Sequence, residues 1–123
     1  MSGIPMEEEV LFNLTAQTAT SGTTTPPKKN LVNRGVRVGV NISGVTGGNL
    51  TVTVFGRDPS GSTYTLLQSA ALSATAFTEL LVYPGCTAAS NTVANAPLPP
   101  TWGVNYSCSS GTLAFTISYS YQR

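Results

Sequence analysis

Apolar and polar residues alternate with period two along most of the chain, and helical spacing is nearly absent, so strands are predicted almost throughout. Near the C-terminus Trp102, Val104, Tyr106 and Cys108 share one face, with Thr101, Gly103, Asn105 and Ser107 on the other. After Ser109-Ser110-Gly111 the alternation resumes, with Leu113, Phe115, Ile117, Tyr119 and Tyr121 set against Ala114, Thr116, Ser118 and Ser120. Two such runs joined by a short glycine-containing link predict a β-hairpin. The same pattern predicts a second hairpin, in which Val36, Val38, Val40 and Ile42 lead through a turn at 44–49 to Leu50, Val52 and Val54. Asp58-Pro59-Ser60-Gly61 predicts a tight turn, because proline presets φ and glycine permits a positive one. It leads to a strand near Tyr64–Leu67, and a further strand from Phe77 to Tyr83 stops at Pro84-Gly85.

An N-terminal strand is expected from Val10 to Ala19, followed by a Thr/Pro-rich loop from Ser21 to Lys29. The stretch 86–100, with prolines at 97, 99 and 100, predicts an extended connection that crosses from one sheet to the other. Residues 70–76 allow one turn of helix, a strand or a loop. About seven short strands at regular spacing define an all-β fold, an antiparallel sandwich of immunoglobulin-like or jelly-roll-like type. Residues 1–9, polar and acidic with Ile4 and Met6 as isolated apolar anchors, read either as a frayed terminus or as an extended N-terminal arm that orders against a neighbouring subunit; residues 10–123 form the sandwich domain.

Charge changes this picture. Only 9% of the 123 residues are charged, against about 25% in an ordinary soluble domain. Serine, threonine, asparagine and glycine take their place, which suits a surface packed against other subunits, where desolvating a charge is costly. The charges cluster early: Glu7, Glu8 and Glu9, then Lys28, Lys29, Arg34 and Arg37, with only Arg57, Asp58 and Glu79 between Val38 and Gln122. A net charge of +1 gives no electrostatic footprint for nucleic acid. The opening MSGIPMEEEV has neither the basic nor the apolar region of a secretory signal, and no run approaches the apolar length of a membrane span. Neither membrane association nor export by this route is expected.

Catalytic chemistry is not predicted. The absence of histidine removes the commonest general base and most zinc sites. A carboxylate pair from Asp58 and Glu79 would require the fold to bring two isolated acids together. Gly44-Val45-Thr46-Gly47-Gly48 lacks the lysine and helix of a phosphate loop. Asn13, Asn41, Asn49 and Asn105 match the N-x-Ser/Thr pattern; about two such matches are expected by chance in so hydroxyl-rich a chain, and with no secretory signal expected they are discounted. Trp102 and Tyr106 are assigned to the core rather than to a sugar-stacking platform. Cys86 and Cys108 are compatible with one disulfide, and in a reducing compartment with two free thiols. No catalytic residue, metal or cofactor is expected, and the chain is read as a non-enzyme.

Four stretches carry a family resemblance. Thr51-Val52-Thr53-Val54-Phe55-Gly56-Arg57-Asp58-Pro59 is a strand ending in a Gly-Arg-Asp-Pro turn, and Tyr64-Thr65-Leu66-Leu67 follows it. Leu81-Val82-Tyr83-Pro84-Gly85 is a strand end, and Ala96-Pro97-Leu98-Pro99-Pro100-Thr101-Trp102 leads into the penultimate strand. In their order and spacing, over residues 34–121, they resemble small structural proteins of tailed bacteriophages, the head decoration (cement) proteins. The chain departs from that pattern at Pro100, where a basic residue is commoner, and at Cys86 and Cys108. The resemblance implies a virion protein, made in the bacterial host cytoplasm and located on the capsid surface. It would bridge subunits of the major capsid protein and self-associate as a trimer or dimer. The contact residues expected are Ile4, Pro5, Met6 and Val10 in the N-terminal stretch, and Thr23, Thr24, Thr25, Pro26, Pro27, Lys28 and Lys29 in the Thr/Pro stretch, since segments outside the core strands are free to reach neighbours. The alternatives are a tail or baseplate component, and a β-sandwich module that binds carbohydrate or the host surface.

Overall fold

The computed structural model describes residues 8–17, 21–23, 28–30, 33–109 and 111–122. Its strands are β1 (Glu8–Gln17), β2 (Ser21–Thr23), β3 (Lys28–Lys29), β4 (Gly35–Thr46), β5 (Leu50–Arg57), β6 (Thr63–Gln68), β7 (Ala76–Val82), β8 (Val93–Ala94), β9 (Thr101–Cys108) and β10 (Thr112–Gln122). Seven are long and three, β2, β3 and β8, are two or three residues. Sheet A has the order β1-β10-β4-β7-β8; sheet B has the order β2-β9-β5-β6, with β3 also on β9. All pairings are antiparallel except β7 with β8. The protein is an all-β sandwich.

The period-two stripes face each other across this sandwich. Val36, Val38, Val40 and Ile42 of β4, Leu80 and Val82 of β7, and the odd-numbered residues Leu113 to Tyr121 of β10 meet Leu50, Val52, Val54, Trp102, Val104 and Tyr106 of sheet B. Trp102 is fully buried and stands edge-on to Tyr119 and Tyr121, with ring centroids 5.2 and 5.8 Å away. Phe12 of β1 closes one side by an edge contact with Tyr106 at 5.0 Å.

Both expected hairpins through glycine links are replaced by inter-sheet crossings. β4 lies in sheet A and β5 in sheet B; β9 lies in sheet B and β10 in sheet A. β4 pairs with β10, and β5 with β9, in a ladder that runs from Gly35↔Gln122 through Thr46↔Thr112 to Leu50↔Cys108 and Gly56↔Trp102, with one register shift between Ala114 and Phe115. The four strands form one long two-stranded ribbon folded over itself. At the fold the two links touch. A Cβ on Gly111, whose φ is +92°, would sit 2.4 Å from the backbone of Gly47, and Ser109 N–H donates to the Asn49 carbonyl at 2.9 Å. Alternation specifies which face is buried, not which strand is the partner, and a local neighbour lost here to a distant one.

The Asp58–Gly61 turn does join a true hairpin, β5 to β6. Its Gly61 N–H donates to Asp58 O at 2.9 Å. The 86–100 connection crosses from sheet A to sheet B and buries Leu98. The Thr/Pro loop is partly strand, because β2 and β3 each extend sheet B along β9. The first strand begins at Glu8, so Glu8 and Glu9 belong to the sheet rather than to the arm. Leu72 makes a single bridge to Leu50, and no helix occurs among the described residues.

Candidate partner-binding surfaces

The two ends of the sandwich differ in chemistry. At the glycine end, where the ribbon folds, the described residues carry no charge. The proline end gathers Lys29, Arg34, Arg57 and Asp58 with Pro59, Pro99 and Pro100. Three of the four stretches that carry the family resemblance converge here. Pro99 lies against Gly56, where a Cβ would meet its ring at 2.8 Å, and Leu98 N–H donates to the Arg34 carbonyl at 2.9 Å. The Val82 carbonyl lies against Gly35, which has no room for a Cβ.

A buried polar clasp holds this end. Asn30 Nδ2 donates to the carbonyls of Asn33 (2.7 Å) and Leu98 (3.1 Å), and its Oδ1 accepts the Asn33 N–H at 2.9 Å. Trp102 Nε1 donates to the Tyr121 hydroxyl (2.9 Å), which donates to the Lys29 carbonyl (2.6 Å). Burial raises the Tyr121 pKa, keeping it a neutral donor. A depression of about 460 Å³ on this end is lined by Lys29, Arg57, Asp58, Ser60, Pro100 and Thr101. Asp58 is turned into its own turn, where hydrogen bonds from Ser60 lower its pKa.

The predicted contact residues divide as follows. Lys28 and Lys29 sit on β3, opposite Trp102 and Thr101. Lys28 Nζ is 2.7 Å from Glu9 Oε1, and the Tyr119 hydroxyl donates to the same oxygen at 3.1 Å. The Lys28 hydrogen bond in particular lowers the Glu9 pKa. This ion pair joins the N-terminal stretch to the Thr/Pro stretch. Thr23 ends β2, against Asn105. Val10 is 56% exposed on the outer face of sheet A. Ile4, Pro5, Met6, Thr24, Thr25, Pro26 and Pro27 lie outside the described residues. Cys86 and Cys108 are free thiols; Cys108 is at the glycine end, while Cys86 follows the strand end at Val82, which pairs near the proline end. Trp102 and Tyr106 are core, as expected. Asp58 and Glu79 belong to different sheets and form no pair.

The sequence reading missed Phe77. At 63% exposed it is the most exposed large apolar side chain among the described residues. The signal was its parity: on β7 it shares a face with Glu79, a charged residue. With Val10 it borders a groove of about 450 Å³ across the outer face of sheet A. The register Val10↔Ser118↔Gly39↔Glu79 sets two small residues along the floor. Phe77 leans over Gly39, where a Cβ would lie 3.0 Å from the ring. Arg37 and Glu79 form an ion pair beside it.

No family model matches the sequence, and no curated protein matches it. Among solved structures, the crystal structure of the PBSX exported protein XepA superposes with a TM-score of 0.66 at 12% identity, over 94% of this chain and 36% of that one. The chain thus shares the sandwich fold of about a third of a phage PBSX protein. The infectious bursal disease virus Gx strain gives 12% identity over 94% of this chain and 32% of that one, with a TM-score of 0.33, too low to bear on the fold.

Proposed function

We propose that this protein is a non-enzymatic virion structural component that decorates the capsid and cements it by bridging major capsid protein subunits, self-associating as it does so. The observation that carries the reading is the convergence at the proline end. Three of the stretches that resemble decoration proteins meet there, beside Lys28 and Lys29 and the cations Arg34 and Arg57. Through the Glu9–Lys28 pair this end is continuous with β1, the other expected contact region. The sandwich fold shared with a phage PBSX protein is in keeping with it. Bridging makes the loss of one contact reversible while the other holds, so modest individual contacts accumulate over a shell.

The test is co-sedimentation with capsids stripped of the protein, with copies per shell quantified. Saturable, stoichiometric binding is expected. Reversing the charges of Lys29 and Arg57 (Lys29→Glu with Arg57→Glu) should weaken it at least about tenfold, while stability changes by about 0.5 kcal/mol or less because both side chains lie at the surface. Binding to tails, or to host polysaccharide with none to capsids, overturns the reading.

A further inference from the structure

We propose that the groove on the outer face of sheet A binds one unit of a neutral glycan, with Phe77 as the stacking ring. This goes beyond the capsid reading; the groove borders β1 at Val10, one of the expected capsid contacts, but its ring, Phe77, lies outside them.

The row Val10, Ser118, Gly39 and Glu79 runs across four strands. Three inter-strand steps of about 4.8 Å separate its ends, so the trough is roughly 14 Å wide between backbones, which leaves room for a pyranose ring between the lining side chains. The floor is low because its two residues are serine and glycine. Gly39 leaves room for the Phe77 ring to lean over the trough and still present most of its surface to solvent. A cluster of C–H bonds on one side of a sugar ring, carrying partial positive charge, is matched by the negative face of an aromatic ring.

Around the ring lies the polar complement that sugar hydroxyls require. Arg37 is a planar donor and Glu79 a planar acceptor. Each is about two-fifths exposed while paired with the other, so hydrogen-bonding capacity remains toward the groove. Ser118 and Ser120 add hydroxyls that both donate and accept. Arg37 and Glu79 cancel, Glu9 is paired with Lys28, and Glu8 leaves the lining slightly negative, which disfavours an anionic ligand and leaves a neutral one. A volume of about 450 Å³ falls within the range of small-ligand sites, about 300–1,000 Å³. One phenyl ring and one isopropyl group are far too little apolar surface for a stable protein interface, which buries about 1,200 Å² or more. A sugar ring needs no more than that.

Amide chemical-shift titration of the intact protein with maltohexaose, cellohexaose, chitohexaose and laminarihexaose, each to about 10 mM, tests the assignment, since single-sugar contacts bind in the millimolar range. At least one should shift the amides of Gly39, Phe77 and Ser118 saturably. Phe77→Ala should weaken that binding about tenfold and Phe77→Trp should preserve it. Gly39→Ala should weaken it by displacing the ring, with the fold intact by circular dichroism. Absence of saturable shifts with all four sugars, shifts confined to the proline end, or affinity unchanged in Phe77→Ala each overturns the proposal. Capsid co-sedimentation of Phe77→Ala should equal that of the parent, so the two readings stand or fall separately.

Discussion

The two ends of the sandwich close by opposite means. At the glycine end two backbone links press against each other at Gly47 and Gly111, and beside them the Ser109 hydroxyl accepts the Asn49 N–H while the Ser109 N–H donates to the Asn49 carbonyl. At the proline end closure is made by side chains: the Asn30 clasp, the Trp102–Tyr121 relay and the Glu9–Lys28–Tyr119 cluster. Backbone-on-backbone contact tolerates no added atom, so the glycine end is brittle. A side-chain network loses one bond at a time, so the proline end can vary its surface while its core stays fixed. At the glycine end the links carry serine, threonine and asparagine beside their glycines, and no charge.

The comparison breaks most sharply at Gly111. Gly111→Ala puts a Cβ into the Gly47 backbone and forces a positive φ on an L-residue, and it should cost about 3 kcal/mol or more, read as a lowered urea midpoint. At the other end Tyr121→Phe removes the middle of the relay, leaving the Trp102 indole N–H and the Lys29 carbonyl without their partner. It should cost about 2 kcal/mol by the same measurement. If the alanine at Gly111 costs less than the phenylalanine at Tyr121, the contrast between the ends is wrong.

The smallest effect belongs to Glu9. Its ion pair with Lys28 is partly solvated, so after allowance for screening Glu9→Gln should cost about 0.5 kcal/mol. Folding lowers the Glu9 pKa from its ordinary 4.5, so the stabilisation is complete above that value and lost as pH falls through the lower folded one. The gap between parent and variant should therefore close on acidification, and in high salt. A gap unchanged by either would remove the ion pair as its cause.

Much of this was legible in the chain. The period-two stripes named the buried residues of β4, β5, β9 and β10, and the Asp58–Gly61 turn is where it was expected. Partners were not legible. Val36 to Ile42 and Leu50 to Val54 read identically whether they pair with each other or with strands fifty or more positions away, because both solutions bury the same faces. The glycines at 47 and 111 looked like ordinary turn residues, and only their mutual contact shows them to be a shared fold line. At the candidate surfaces, Lys28 and Lys29 were found from charge alone. Phe77 was read only as a strand start; an aromatic residue on a strand is usually core, and its shared parity with the charged Glu79 is the feature that sets it apart.

The pairing of Gly35 with Gln122 has a consequence for how the protein folds. The strand at the heart of sheet A, between β1 and β4, follows the other strands of that sheet in sequence. Until it docks, β1 has no sheet to join, and the pairings that close the sandwich span about fifty positions or more. Loops that long must close before their contacts reward them, so folding is expected to be slower than for a sandwich built of local hairpins.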